Sequence, residues 1–352
     1  MVEDDRGFFV PRIDLDKCID CGLCDKVCDK TNSDSTARLP KKAFYVKTKN
    51  RRVLANSTSG GAFTILSDYV LGLGGLVCGA IMDANFNVKH VLSPMVDTRN
   101  LMRGSKYVQS EIGLSFKDIK KALSNDQYVL FVGTPCQTAG IVACLGNQWE
   151  KLITVDMLCH GVPNNKMFKD HIRYIENRSS KHAEAYSFRN KHYAWRPGAI
   201  QEIKLNGKWS SRFDNQAFVD FFSQNLSLRN SCYKCEFRKP ERYSDFTIAD
   251  FWDLQPVMNE RDTEGVSLVT ANSSKALDII AEISTSSVIK EVPYDRVAYR
   301  YEHRSLVLPN VDIKEFWTSY KSSGYAKIVE KYYDSSLYRR VKFMIKKIVY
   351  KR

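Results

Sequence analysis

Tyr128-Val-Leu-Phe-Val132-Gly-Thr-Pro135-Cys-Gln137 is the stretch that decides the fold. Residues 128–132 read as a buried strand, a short apolar run bounded by turn residues. Gly133-Thr-Pro135 ends it, and a helix follows over about 136–145. The same alternation extends in both directions. Upstream, Asn56-Ser-Thr-Ser-Gly-Gly61 opens a helical segment over 62–73. Strand-like runs at 76–82 and 88–95 are joined by Asp83-Ala-Asn-Phe-Asn87, and a helix spans about 116–124. Downstream, 152–158 reads as a strand and 165–176 as a helix. Strands alternating with helices of about ten to fifteen residues give a mixed α/β core with parallel pairing. Ligands of such folds gather beyond the carboxyl ends of the strands, where Gly133 to Gln137 and Cys159-His-Gly161 both fall. Residues 184–213 turn to β character, with Asn206-Gly207 as a hairpin turn between 200–205 and 209–213. Residues 246–249 lead into Asp250-Phe-Trp252, a further strand end that carries a carboxylate.

The 352 residues suggest about two domains, and 43% hydrophobic with 26% charged residues is ordinary globular composition. The longest apolar run, residues 70–82, contains four glycines and falls short of the ~18 residues a membrane helix needs. An acidic start, Met1-Val-Glu-Asp-Asp, argues against a secretory signal, so a cytoplasmic location is expected. The net charge of +13 is unevenly spread: +6 over residues 31–55, +8 over 321–352, and +2 over the long stretch 56–320. A nucleic-acid-binding body would carry the excess on its folded surface, so that function class is set aside.

Ten cysteines remain to be explained. Cys18-Ile-Asp-Cys21-Gly-Leu-Cys24-Asp-Lys-Val-Cys28 has the C-x2-C-x2-C-x3-C spacing of a bacterial ferredoxin run, compact enough to wrap a 4Fe–4S cluster. Disulfides are out of place in a chain with no secretory signal, and three successive two-residue gaps crowd a single zinc ion. In two-cluster ferredoxins the fourth cysteine serves the other cluster and a proline follows it. Here Asp29 follows Cys28, and no second run exists. Cys28 therefore either closes the same cluster or reaches another. Cys136, Cys159, Cys232 and Cys235 sit in loops or at element ends, where ligands belong. Cys78 and Cys144 lie inside apolar elements and read as buried structural thiols. Eight candidate ligands suffice for two clusters, allocated as 18/21/24/28 plus 136/159/232/235 or with Cys28 and one core cysteine exchanged.

Taken in order, these motifs resemble a known family: the ferredoxin-like run, Ser59-Gly-Gly61, Gly104-Ser-Lys-Tyr107, Gly133-Thr-Pro-Cys-Gln137, Cys159-His-Gly-Val-Pro163, Phe188-Arg-Asn-Lys191 with Trp195, Cys232-x-x-Cys235 and Asp245 to Trp252. The resemblance is to the coenzyme F-420 hydrogenase/dehydrogenase β-subunit family, which includes hydroxymethyl-chlorophyll reductases, and it covers residues 14–255. It implies FAD beside two 4Fe–4S clusters. By this resemblance Ser59, Gly60, Gly61, Ser105, Lys106 and Tyr107 approach the flavin, and Gly133, Thr134, Pro135 and Gln137 form the turn under it. Lys106 is the candidate cation for a reduced flavin, with a surface lysine as the alternative. His160 is a candidate proton donor or donor to cluster sulfur, with a structural histidine as the alternative. Arg189, Lys191 and Arg196 around Tyr193 and Trp195 form a basic patch for an anionic substrate or an exposed β-edge guarded by charge. The missing second ferredoxin run leaves one N-terminal cluster, and no local motif marks a deazaflavin site.

The fold expected is α/β, mixed α+β, with a half-ferredoxin-like 4Fe–4S segment ahead of a mixed-sheet flavin-binding core. Residues 1–35 form that segment and 36–55 a basic connector. Residues 56–145 and 146–300 are the two parts of the β-subunit-like core, the second with its own cluster, and 301–352 a basic helical tail. The leading function is a flavin- and iron–sulfur-dependent oxidoreductase. It would take electrons from a soluble donor such as ferredoxin or a reduced (deaza)flavin and act on a small or sugar-linked substrate. Surface-polysaccharide biosynthesis is a setting the resemblance implies. The alternatives are a non-catalytic electron-transfer subunit of a larger redox complex and a zinc-stabilised binding module. Leu337, Val341, Met344, Ile345 and Ile348 share one helical face among basic residues. That pattern suits peripheral contact with the inner membrane surface, an acidic partner, or docking on the chain's own body.

Overall fold

Residues 1–26, 37–146, 148–191, 195, 200–300, 306 and 308–349 are described in a computed structural model of the chain. Two short strands, β1 (Val2–Glu3) and β2 (Phe9–Val10), pair as a hairpin. The main sheet takes β3 (Lys42–Thr48), β4 (Leu76–Met82), β5 (Val88–Ser93), β6 (Val129–Val132) and β7 (Leu152–Met157). A separate three-stranded sheet holds β8 (Ala183–Ser187), β9 (Glu202–Leu205) and β10 (Lys208–Ser210). The main sheet is completed by β11 (Phe246–Asp250), β12 (Ser267–Ala271) and β13 (Ser287–Val292), in the order β13-β3-β12-β11-β7-β6-β4-β5.

The four central strands, β11, β7, β6 and β4, run parallel, and antiparallel strands flank them. The class is therefore α/β with a mixed sheet. Its parallel centre is buried on both faces, as all-apolar β6 requires. Alternation along each strand sends neighbours to opposite sides. Val77, Leu130 and Val155 pack toward the helices Ala62–Gly72 and Ser274–Ile283. Cys78, Val129 and Phe131 pack toward Ser115–Ser124 and Pro135–Leu145. Each large apolar side chain so buried contributes roughly 1.5–3 kcal/mol.

A second core surrounds Phe168, whose ring lies 5.0 Å from Phe188, 5.1 Å from Tyr186 and 5.1 Å from Phe218. It joins the helix Asn165–Ser179, the three-stranded sheet and the helix Ile313–Tyr332. His171 sits fully buried there, between the hydroxyls of Tyr325 (3.0 Å) and Tyr186 (3.3 Å). Burial pushes its pKa down to about 3.

Three readings of the sequence change here. The basic connector over 36–55 contains β3, an inner strand of the main sheet between β13 and β12. Its buried apolar run, residues 43–46, is masked by charges that find acids elsewhere in the body. Lys42 pairs with Glu291 at 2.8 Å, Lys47 with Asp262 and Glu264, and Arg51 with Glu264 at 2.6 Å. The tail over 301–352 is also two things. Ile313–Tyr332 buries Phe316, Trp317 and Ile328 in the second core, whereas Leu337–Val349 lies on the surface with no buried residue. The strand expected over 209–213 stops at Ser210, because Phe213 turns into a 3-10 helix and packs on Tyr333 and Phe343. At the front of the chain, Phe8 is buried against Trp317, and Cys18, Cys21 and Cys24 are exposed. Only the short helix Leu23–Lys26 orders that segment among the described residues; Cys28 lies outside them.

Candidate functional site

The parallel strands all end on one edge of the sheet, and their exits carry the polar chemistry. After β6, Pro135 opens the helix Pro135–Leu145 with Thr134 as its N-cap. Gln137 reaches back, its Oε1 accepting from the Thr134 backbone N–H at 3.0 Å, in the manner of a capping box. Its Nε2 donates to Ser110 Oγ at 2.9 Å and so ties in the loop that follows Lys106. Cys136, on the first turn, has its Sγ 3.1 Å from Thr134 Oγ1. After β7 come Cys159 and His160, and after β11 come Asp250 and Trp252.

The loop bearing Cys232 and Cys235 folds back onto the exit of β7. Arg229 N donates to Val162 O at 3.0 Å, and Arg238 Nη2 donates to His160 O at 2.8 Å. Gly161, at φ +139°, permits the approach: a Cβ there would stand 3.3 Å from Cys232 Cβ. Four thiols from three separate segments thus converge. Burial raises the Cys159 pKa, and the charges of Cys136, Cys232 and Cys235 raise it further. Cys232 is pushed up to about 11 by burial, with Cys136 and Cys235 adding to it. Among the described residues no three His, Cys, Asp or Glu side chains close to the spacing of a single metal ion. A four-iron cluster spreads its thiolates over a wider frame than one tetrahedral ion does, and an all-cysteine donor set suits it. Of the two remaining cysteines, Cys78 is buried and its thiol pushed up to about 12, whereas Cys144 is exposed. The reading of Cys144 as a core thiol is corrected: Ile141 and Leu145 take the inner face of their helix and leave it outside.

All four converging cysteines border one cavity of about 2650 Å³, well above the ~300–1,000 Å³ of an ordinary ligand pocket. The same cavity is bordered by Ser59, Gly61, Ser105, Lys106 and Tyr107, by Gly133, Thr134, Pro135 and Gln137, and by His160. Gly60 stands apart from these. A Cβ on it would fall 2.2 Å from Val46 O and 2.5 Å from Ser267 N, so it is the close-approach residue that lays the loop across β3 and β12. Cys18, Cys21 and Cys24 are not among the residues bordering the cavity.

Lys106 borders the cavity but commits its ammonium elsewhere. Nζ donates to the carbonyls of Leu101 (2.9 Å), Met102 (3.0 Å), Arg103 (2.8 Å) and Gly104 (3.3 Å), closing the helix Val96–Met102. Burial pushes its pKa down to about 7, against the pull of those four carbonyls. Tyr107 stacks on Phe222 with ring centroids 4.8 Å apart, and His160 meets the same ring edge-on at 4.9 Å. Desolvation and the Arg238 charge lower the His160 pKa, and a hydrogen bond to Asn225 opposes them.

The basic patch read from the sequence is largely internal. Lys191 Nζ donates to Leu54 O (2.9 Å) and Ser59 O (2.5 Å), fastening the Ser59 loop, and burial pushes its pKa down to about 8. Arg189 pairs with Asp250 at 2.5 Å, and Trp195 donates its Nε1–H to the other Asp250 oxygen at 3.0 Å. Trp195 is buried, so an exposed β-edge is not what these residues form. Tyr193 and Arg196 lie outside the described residues. Asp250 anchors a wall that also holds Arg300, whose Nη1 donates to Asp250 O at 2.5 Å; both guanidiniums lie 5.9 Å from the Trp252 ring.

Sequence reasoning passed over His90. It sits on β5, 7% exposed, stacked on Phe131 at 5.5 Å, with Nε2 3.1 Å from Val132 O at the exit of β6. Its Nδ1 has no hydrogen-bond partner among the described residues, and the side chain borders the cavity. Burial pushes its pKa down to about 4, with the Lys106 charge contributing, so the ring is neutral. A lone histidine in an apolar strand gives no signal that the strand end faces a cavity.

Residues 126–297 match the family model for the C terminus of the coenzyme F420 hydrogenase/dehydrogenase beta subunit. Among solved structures, a chain of the F420-reducing NiFe hydrogenase complex from Methanosarcina barkeri has a similar fold. It superposes with a TM-score of 0.50 at 16% sequence identity, over 87% of this chain and 97% of that one. No curated protein matches the chain.

Proposed function

The chain belongs, over residues 126–297, to the coenzyme F420 hydrogenase/dehydrogenase beta-subunit family, and from that premise we propose that it is an iron–sulfur flavoprotein oxidoreductase. One observation carries the proposal: four cysteine thiols and the Gly133 to Gln137 turn open onto the same cavity, at the carboxyl ends of the parallel strands. Cys136, Cys159, Cys232 and Cys235 would hold one 4Fe–4S cluster. Cys18, Cys21 and Cys24, with Cys28, would hold a second. FAD would lie along Ser59, Gly61, Ser105 to Tyr107 and Gly133 to Gln137. When bound, such clusters supply single electrons and a flavin couples them to two-electron chemistry.

The chain's own part is to position and to dry. Thr134 and Gln137 lock the turn that carries Cys136, so a ligand on the turn and a group held by the thiol keep a fixed separation. Lys191 fixes the Ser59 loop from behind. Phe222 and Tyr107 screen the wall of the cavity next to His160 from water. Asp250 holds Arg189 at the opposite wall, where an anionic substrate group would meet the Arg189 and Arg300 guanidiniums.

Anaerobic purification followed by iron, sulfide and flavin assays tests the proposal. Iron, sulfide and FAD are expected together. Zinc without iron or flavin would favour a structural module and overturn it. Cys232→Ala is expected to remove the core cluster and leave the N-terminal one, halving iron per chain; unchanged iron would refute the ligand assignment. Iron and flavin without turnover of any small electron acceptor would favour an electron-transfer subunit. The structural neighbour is itself a chain of a hydrogenase complex.

A further inference from the structure

The helix Leu337–Val349 is mounted inside out. An amphipathic helix on a protein in water normally turns its apolar stripe to the core. Here the inward contacts are made by the basic side. Arg339 Nη2 lies 2.6 Å from Asp220 Oδ1, Arg340 Nη2 3.5 Å from Asp214 Oδ1, and Lys347 Nζ donates to Ser211 O at 2.8 Å. Phe343 alone adds an apolar contact, edge-on to Phe213 at 5.7 Å. The opposite stripe, at i, i+4, i+7, i+8 and i+11, is Leu337, Val341, Met344, Ile345 and Ile348. These residues are 76%, 39%, 54%, 54% and 77% exposed.

Such a stripe loses free energy in water unless something covers it. The chemistry of the helix narrows the occupant. Its thirteen residues hold five cations and no acid. The stripe is aliphatic, with nothing but the Tyr338 hydroxyl at its border to register a hydrogen-bonding partner. Exposed Lys342 and Arg340 flank it on either side. A surface that is fluid, apolar beneath and anionic above matches all three features. No helix among the described residues is long and apolar enough to cross a membrane, so the contact is one of lying on it.

We propose that Leu337–Val349 is an interfacial helix that lays its aliphatic stripe into the headgroup boundary of an anionic bilayer, with Lys342 and Arg340 against lipid phosphates. The ion pairs to Asp220 and Asp214 hold the helix by its back, which presents the stripe outward before any bilayer is met. This inference stands apart from the redox assignment, since it uses none of the cavity's ligands.

Cosedimentation of the full chain with vesicles tests it, comparing pure phosphatidylcholine with mixtures containing phosphatidylglycerol. Binding is expected with the anionic vesicles, weakening as salt is raised. Ile345→Glu with Ile348→Glu is expected to abolish it, and Lys342→Glu to weaken it at least fivefold. Both changes are at exposed positions, so an unaltered thermal melt confirms that the body is intact. Three results would overturn the proposal: no pelleting at any lipid concentration, equal pelleting with neutral vesicles, or a concentration-dependent dimer that Ile345→Glu dissolves. The last would assign the stripe to a second copy of the chain.

Discussion

Replacing Gly60 by alanine separates a residue that serves the fold from one that serves a cofactor. Gly60 lies beside Ser59 and Gly61, which border the cavity, yet its own Cα faces the sheet. The added methyl would sit 2.2 Å from Val46 O, 2.5 Å from Ser267 N and 3.1 Å from Val266 C. These are backbone atoms of β3 and of the β12 entry, so no side-chain rotation can relieve the clash. The loop must lift, and with it the hydrogen bonds Thr48 N–H to Gly60 O (2.8 Å) and Gly60 N–H to Ser267 Oγ (3.0 Å). Overpacking of this kind costs about 1–3 kcal/mol, and two lost hydrogen bonds add about 1 kcal/mol each. A destabilisation of about 3–5 kcal/mol follows for Gly60→Ala. Urea unfolding of the flavin-free protein, followed by tryptophan fluorescence, measures it as a shift of midpoint at unchanged slope. Ser59→Ala is the comparison, since it removes a single bond to Val266 O at 2.6 Å and should cost about 1 kcal/mol. If Gly60→Ala unfolds at the parent's urea concentration and differs only in flavin content, the residue belongs to the cofactor and the packing argument fails.

Acid should destabilise the body through its buried histidines. His90 and His171 have folded pKa values near 4 and 3, below the unfolded 6.5, so the unfolded state takes up protons first as pH falls. Their full contribution is present above pH 6.5 and is lost toward pH 4. At pH 5 the loss is about 2 kcal/mol for each, and His90→Gln should flatten the midpoint-versus-pH curve by about half; an unchanged slope would show that His90 is not neutral in the fold. Lys106→Met removes the cation that closes the helix Val96–Met102, and a loss of about 2 kcal/mol is expected in the same assay. Native alkylation read by mass spectrometry should label Cys144 promptly and Cys78 only after unfolding; equal labelling would place both thiols in one environment.

The α/β class is legible because the parallel strands are short apolar runs that end in Gly133-Thr-Pro or Leu158-Cys-His, signals strong enough to survive without partners. What the sequence conceals is long-range. β3 reads as a charged connector because Lys42, Lys47 and Arg51 are visible in the chain while Glu291, Asp262 and Glu264 are not adjacent to them. Averaging charge over a segment hides four buried residues among seven basic ones. At the candidate site, glycine and cysteine at strand ends locate the cavity edge. They do not tell which way a side chain turns: Lys106 bends to its own helix, Gly60 faces the sheet and Lys191 points inward. His90 is invisible for the same reason, since its surroundings come from β6 and from the loop that carries Lys106.

The position of β3 bears on how the chain assembles as it is made. Val46 pairs with Ser267 on one side and Ile289 on the other, both more than two hundred residues away. The local pairs β4–β5 and β4–β6 can close while synthesis is still under way, but β3 has no neighbour until β12 emerges. Closing so long a loop adds only about 0.6 kcal/mol per doubling of length, so equilibrium stability is little affected, whereas the rate is. The first fifty residues, with their exposed cysteines, therefore remain outside the sheet until most of the chain has left the ribosome. That leaves a long interval in which the N-terminal thiols are open to the solvent and to whatever loads or oxidises them.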